Sequence, residues 1–450
     1  MKTLLKKADV IILNAETTLY NADLLMDDDR IEAIGRNLDL PDADVVDCSG
    51  LLICPGFINL HTHVYQSMLK GFRDDLTLAP WCSEVTFPFV SVAIAHEQDE
   101  TDPLPYHYGM LSGIEQLRSG ITTFVAMDMI SDALMQSWED LGVRGVGALQ
   151  SANRWIPDEF VKPDEIMIEE AERFIDRWNG RGLLRTAIAP STPFCCTPDY
   201  LRMLGLLADR RKQFMCIHVS ETRGEVEESL RGTGMTPIAY LDSLGFWERP
   251  VLAVHCVHLS EDDIGIVRRN PITVCHNPKS NLKLGSGVAP IARYVKEGIP
   301  TAVSTDGAAS NDLLDMFEEM RTALLLQKGI NEDPAILGPK DVFRMATETP
   351  AKALGLDAGV LEPGRQTDIL CIDLHTAHAA CGQDPLTTLV YCLKSADIVN
   401  VYIAGNAVIK NRVVTTIDEK AAVSRAIRVG TLRQEEAFPG RQDERKADGE

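Results

Sequence analysis

His61 and His63 stand two residues apart at the end of an apolar run, Gly56–His63. On an extended strand, residues i and i+2 project from the same face, so these two imidazoles can share one metal ion. Four more runs end in residues that bind metals or move protons: His218-Val219-Ser220-Glu221, Val254-His255, Cys275-His276 and Thr305-Asp306. Five of the ten histidines fall at these ends. His218 would add a third nitrogen and Asp306 a carboxylate oxygen. Three histidines and one aspartate suit one divalent cation, zinc first and iron(II) as the other choice, with a position left for water. Glu221, three residues past His218, would sit beside that metal and shuttle protons. His255 could hydrogen-bond the water or a developing oxyanion. His96, His107 and His258 lie off the run ends and read as structural.

Residues so far apart in the chain meet only if a repeating scaffold carries each run to one place. Eight such runs are present: Gly56–His63, Gly120–Asp128, Gly142–Gln150, Leu184–Ser191, Phe214–Glu221, Val251–His258, Pro271–Asn277 and Pro300–Asp306. Helical stretches such as Pro198–Arg211, Ser260–Arg269 and Leu314–Gln327 lie between them. This alternation predicts the α/β class and a (β/α)8 barrel of TIM type, whose C-terminal strand ends form the active face. Parallel strands buried on both faces read as continuous apolar runs, as Val251-Leu252-Ala253-Val254 does. The chain ends have a different texture, with short strand candidates at 9–13, 22–26, 31–34, 367–373 and 398–403 and a hairpin turn at Ala404-Gly405-Asn406-Ala407. They predict a small β-sandwich domain built from residues 1–55 and 358–438, around a barrel of residues 56–357. The charged stretch 439–450 is expected to be loosely held.

The chain has 450 residues, 45% apolar and 24% charged, which excludes wholesale disorder, collagen-like sequence and a coiled coil. Its 44 basic and 66 acidic side chains give a net charge of −22. Such a surface repels phosphate backbones and anionic lipid, so neither nucleic acid nor membrane is an expected partner. The opening residues carry no apolar core of a signal peptide, and no apolar run reaches the ~18 residues of a membrane span. The eleven cysteines show no CxxC spacing and read as reduced thiols, as in a cytoplasmic protein.

Together these residues resemble the amidohydrolase superfamily over nearly the whole chain. Pro55–His63 is similar to its first-strand motif and Gly364–Ile369 to its returning-strand motif. The most similar branch is the cytosine-deaminase-like group, with its S-adenosylhomocysteine/methylthioadenosine deaminases and s-triazine hydrolases. That likeness rests on His218-Val219-Ser220-Glu221, His255-Cys256-Val257-His258, the stretch from His276 to Gly285, and Thr305–Asn311. The resemblance implies a mononuclear site, because Leu184–Ser191 has no lysine where dinuclear relatives place a carboxylated bridging lysine. It implies a metal-dependent hydrolytic deaminase, in which metal-bound hydroxide attacks an amine-bearing ring carbon. Glu221 would carry a proton from the water to the ring nitrogen, His255 would steady the hydroxide, and Asp306 would pass a proton to the leaving ammonia. An s-triazine-type hydrolase releasing an alkylamine or chloride shares that attack. A catalytically silent binding protein on the same fold is opposed by the intact set of site residues.

The resemblance leaves the substrate between an adenosine-type nucleoside and a free purine- or pterin-like ring. Adenosine-type members carry a ribose-binding glutamate where this chain has Val90; Glu84 is the nearest replacement. They carry a histidine where Ala189-Pro190-Ser191-Thr192-Pro193 stands, and an arginine where Leu149 stands, with Arg154 nearby. Val64-Tyr65-Gln66 resembles members that act on bare rings. The residues expected to line the substrate are Gln66, Trp81, His276, Ser310 and Asn311. Trp81 would stack on a flat ring, and Ser310 or Asn311 could instead cap the helix after run eight. The expected partners are the small heterocyclic substrate and further copies of the same chain.

Overall fold

The computed structural model describes residues 2–96, 102–129 and 131–440. Of the predicted charged tail, only Pro439 and Gly440 fall within them. Eight parallel strands follow the eight apolar runs: Phe57–Thr62, Ile121–Asp128, Arg144–Ser151, Arg185–Pro190, Met215–Val219, Val251–His255, Ile272–His276 and Thr301–Val303. They pair in chain order into one sheet. Ile58, Leu60, Val125, Met127, Val146, Cys216, Leu252, Val254 and Cys275 share the core they enclose. This is the (β/α)8 barrel the alternation predicts.

Among the described residues no ladder joins the first strand to the eighth, and side-chain and backbone hydrogen bonds join the residues at their ends instead. Asn59 Nδ2 donates to Thr305 Oγ1 at 2.8 Å, Thr305 N donates to Asn59 Oδ1 at 3.1 Å, and Asp306 N donates to the His61 carbonyl at 3.1 Å. Local signals set the helices between strands. Thr197 accepts from Tyr200 N and Pro198 fills the first turn of Pro198–Arg211. Ser260 and Asp263 form a capping box on Glu261–Arg269.

Both chain ends build a second, nine-stranded sheet. Lys2–Ile12 pairs with Thr18–Asp27, Asp44–Asp47 and Leu51–Pro55, and Leu51–Pro55 pairs antiparallel with Ile369–Asp373. A register break between Leu5 and Ala8, with Lys7 at φ +61°, bends the long first strand. The sheet folds around Leu5, Ile11, Leu24, Ile53, Ile369 and Tyr402. Later in the same region Glu419–Ala437 is a helix that packs on the helices Leu104–Arg118 and Phe87–Ala95.

One helical stretch, Leu78–Ala95, is long and apolar enough by length and composition to cross a membrane, with a mean hydropathy of 1.4. No such run was expected, because Ser83, Glu84, Thr86 and Ser91 interrupt the apolar residues. In the fold, Trp81, Val85, Phe89 and Val92 are buried, and Tyr65 stacks on Phe89. All eleven cysteines are free thiols.

Candidate active site

The first barrel strand carries a bulge. Asn59 pairs with Phe124, but Thr62 pairs with Ala126, so three residues advance against two. A one-residue slip flips side-chain parity, which lets His61 and His63 reach the mouth although Leu60 already faces the core. His63 Nδ1 lies 2.5 Å from the Met127 carbonyl, and His218 Nδ1 lies 2.8 Å from the Ser191 carbonyl. A carbonyl only accepts, so both Nδ1 atoms carry hydrogen and both Nε2 atoms present lone pairs. These two Nε2 atoms stand 3.2 Å apart. Asp306 Oδ1 is 3.3 Å from His61 Nε2, which has no other partner, and 3.7 Å from His63 Nε2.

Three imidazole nitrogens and a carboxylate oxygen thus converge, all on buried side chains except half-buried His218, with no proton donor between the facing lone pairs. His61, His63 and Asp306 form one cluster able to hold a metal ion, and His61, His218 and His255 form another that shares His61. The donor set fits one divalent cation of the zinc type. The electrostatics agree. Burial, together with neighbouring His61, His63 and His255, lowers His218 well below its ordinary value, which keeps it neutral. Burial opposes charge on His63, yet Asp128 and Asp306 raise it above the ordinary value, so this corner favours a positive charge. The end of the fourth strand offers Ser191 rather than a lysine; its hydroxyl accepts from Gln150 Nε2 at 2.9 Å.

Glu221 and His255 face the same space. Glu221 Oε1 accepts from Ser286 Oγ at 3.0 Å, and Oε2 lies 3.4 Å from His255 Nε2. Burial, then the charge of Asp306, pushes the Glu221 carboxyl up to about 8. Glu225 builds the turn beneath it, accepting from Ser220 N at 2.9 Å and Glu221 N at 2.8 Å, with Ser220 at φ +53°. His255 has the parity opposite to core-facing Leu252 and Val254, and its φ of +76° turns the ring back. As the amides are oriented here, Asn281 and Asn277 direct Nδ2 at His255 Nδ1 from 3.0 and 3.3 Å. With the amides in this orientation the ring hydrogen sits on Nε2, facing Glu221 Oε2.

The expected substrate contacts divide. Gln66 Oε1 accepts from Ala309 N at 3.2 Å, against the Gly307 Cα, where a Cβ would meet that oxygen at 2.0 Å. Ser280 Oγ donates to Asp306 Oδ2 at 2.6 Å, and Ser310 Oγ lies 2.9 Å from Ser280 Oγ and 3.1 Å from the Gly307 carbonyl, with its one hydrogen shared between those two acceptors. Asn311 is buried and gives its amide to the Thr305 carbonyl and Glu319. These contacts engage Gln66 Oε1, Ser310 Oγ and Asn311 Nδ2 within the loop. His276 follows Cys275, which faces the barrel core, and shares parity with Val274 in the outer core; both its ring nitrogens lack partners. Trp81 is buried with an unpaired indole N–H. Burial, with help from Glu221 and Asp306, pushes the next residue, Cys82, up to about 12, so this turn lies near both carboxylates. Glu84 is exposed and paired with Arg73 at 3.0 Å.

Several functional groups escaped the sequence reading. Asp128 ends run two; it accepts from Val64 N at 2.6 Å and lies 3.4 Å from His63 Nδ1. Asn277, Ser280 and Asn281 sit in the quoted stretch from His276 to Gly285 and hold His255 and Asp306. At the rim, Trp155 is 60% exposed at φ +60°, 5.7 Å from Phe194 and 6.0 Å from the Arg154 guanidinium.

The sequence pattern of the amidohydrolase family matches residues 52–408. A 5-methylthioadenosine/S-adenosylhomocysteine deaminase of Pelotomaculum thermopropionicum is 37% identical over 85% of this chain and 86% of its own. A 5'-deoxyadenosine deaminase of Methanothermobacter thermautotrophicus is 36% identical over 88% and 91%. Among solved structures, a zinc-bound adenosine deaminase from Xanthomonas campestris superposes with a TM-score of 0.88 at 27% identity, over 96% of this chain and 98% of that one.

Proposed function

The chain belongs to the amidohydrolase family and is a metal-dependent hydrolytic deaminase; on that premise we propose that its substrate is a 6-aminopurine nucleoside whose 5' position carries an apolar or thioether group. The observation that carries the hydrolytic reading is the pair of facing Nε2 lone pairs of His63 and His218, 3.2 Å apart beside Asp306. His61, His63, His218 and Asp306 would hold the metal, with zinc preferred over iron(II). The metal would supply the Lewis acidity that makes water a nucleophile near pH 7.

The remaining steps fall to the side chains. Glu221 takes one proton from the water and passes it to the ring nitrogen next to the attacked carbon. Its carboxyl, pushed up to about 8, both accepts and returns a proton near neutral pH. His255 Nε2–H points to the space between Glu221 and Asp306, where it orients the nucleophile and offsets developing negative charge. Asp306 takes the second water proton to the amine, which leaves as ammonia as the carbon becomes a carbonyl. Trp81 and Gln66 flank the ring.

The relatives support the nucleoside, since the two curated ones act on 5'-modified adenosines. The rim supports it too: Trp155 and Phe194 offer apolar surface beyond the buried site. The test is ammonia release from 5'-methylthioadenosine, 5'-deoxyadenosine, S-adenosylhomocysteine, adenosine, adenine and a pterin. The 5'-modified nucleosides should exceed adenine in kcat/KM by at least about 100-fold. Faster turnover of the bare rings would reverse the assignment.

A further inference from the structure

We propose that Glu319 is a positioning residue for Asp306, acting through Asn311 and the peptide between Thr305 and Asp306. Glu319 lies fully buried on the helix Met316–Asn331 and touches none of the metal-type side chains. The Asn311 amide has two hydrogens. One goes to the Thr305 carbonyl at 2.5 Å and the other to Glu319 Oε1 at 2.6 Å. Asn311 Oδ1 has no partner. Glu319 is therefore the second of the two acceptors that anchor Asn311 Nδ2. With the carboxyl gone, one N–H is left buried without an acceptor, and Asn311 shifts or turns to satisfy it, which loosens its hold on the Thr305 carbonyl.

The consequence reaches the site because Thr305 C=O and Asp306 N–H belong to one planar peptide unit. Its N–H end donates to the His61 carbonyl across the barrel seam at 3.1 Å. Its C=O end is held by Asn311. A plane held at both ends cannot tilt, and its tilt sets the φ of Asp306. That φ is +59°, a left-handed value a non-glycine residue keeps only when its surroundings insist. The φ aims Cβ, and so places Oδ1 at 3.3 Å from His61 Nε2 and Oδ2 at 2.6 Å from Ser280 Oγ. Glu319 thus ties a metal-type carboxylate at the barrel mouth to a sixteen-residue helix of the outer layer.

This rests on the metal-site reading, and the experiment separates it from the deaminase reading. Metal-free protein is titrated with cobalt(II), following its visible absorption, and kcat and KM are measured on zinc-loaded protein. Glu319→Gln keeps a carbonyl oxygen for Asn311 and should retain cobalt affinity, spectrum and kcat within about twofold. Glu319→Leu should weaken cobalt binding and lower kcat by about tenfold each, shift the absorption band, and leave KM within about twofold. Asn311→Leu should reproduce these changes, and the double variant should lose no more than either alone. Wild-type cobalt affinity and spectrum in folded Glu319→Leu would overturn the proposal. If that variant does not fold, unchanged cobalt binding in Asn311→Leu would do so. The cobalt arm needs no turnover, so it stands even if the substrate is of another class.

Discussion

Nε2 of His63 and Nε2 of His218 face each other across 3.2 Å, each with its hydrogen committed to Nδ1 by a backbone carbonyl. Two lone pairs so placed repel unless a cation lies between them. Chelator-stripped protein should therefore take up about one zinc per chain and melt at a higher temperature once reloaded. At free zinc 100 times Kd the gain is about 2.7 kcal/mol. His63→Ala or His218→Ala should remove both uptake and gain. Saturation near two zinc ions per chain would contradict a single shared site.

Glu221→Gln should keep the metal and lose at least about 100-fold in kcat. The amide fills the same space beside Ser286 but cannot carry a proton. Elemental analysis and steady-state rates read the two halves separately. A rate above about a tenth of wild type would remove Glu221 from proton transfer.

His255→Asn should also retain metal while turnover falls by about 10- to 100-fold, because the ring donates through Nε2 and is held at Nδ1 by Asn277 and Asn281. Loss of metal would instead make His255 a ligand.

Glu319 gives a pH signature in stability. Burial pushes its carboxyl up to about 8, with the Lys279 charge opposing, whereas an unfolded glutamate titrates near ~4.3. Between these values the folded chain holds the extra proton. This group's contribution is full below ~4.3 and declines as pH rises toward 8. Glu319→Gln has no such proton to lose. Its melting temperature relative to wild type should rise steadily from pH 5 to 8 in metal-loaded protein. A constant difference across that range would show that Glu319 keeps an ordinary carboxyl.

The legible part of the site consists of residues that end apolar runs. His61, His63, His218 and Asp306 are metal-type residues at strand ends, and the barrel rule converts that position into proximity. What spacing could not show is backbone conformation. His255 and His276 look alike at the ends of neighbouring runs, but only His255 takes a left-handed φ that returns its ring to the mouth. Asp128 also ends a run, yet its contacts are with His63 and Val64, just past the end of the adjoining strand, and such pairings are not written in any local pattern. Asn311 reads as a helix cap or a ligand contact by type. Its true partner, buried Glu319, is fixed only by tertiary packing. The strand texture of both chain ends was visible, while the register break in the first strand falls at Lys7, a residue of no special turn type.

The pairing of Leu51–Pro55 with Ile369–Asp373 has a consequence for synthesis. The earlier strand leaves the ribosome with one edge lacking its neighbour, and the complement follows only after the whole barrel has been made. At roughly 5–20 residues per second the wait is about 15–60 s. During it, an apolar edge adjoining the strand that bears His61 and leads into His63 stays open to other chains. A nascent chain halted before Ile369 should therefore be aggregation-prone even with its barrel strands complete.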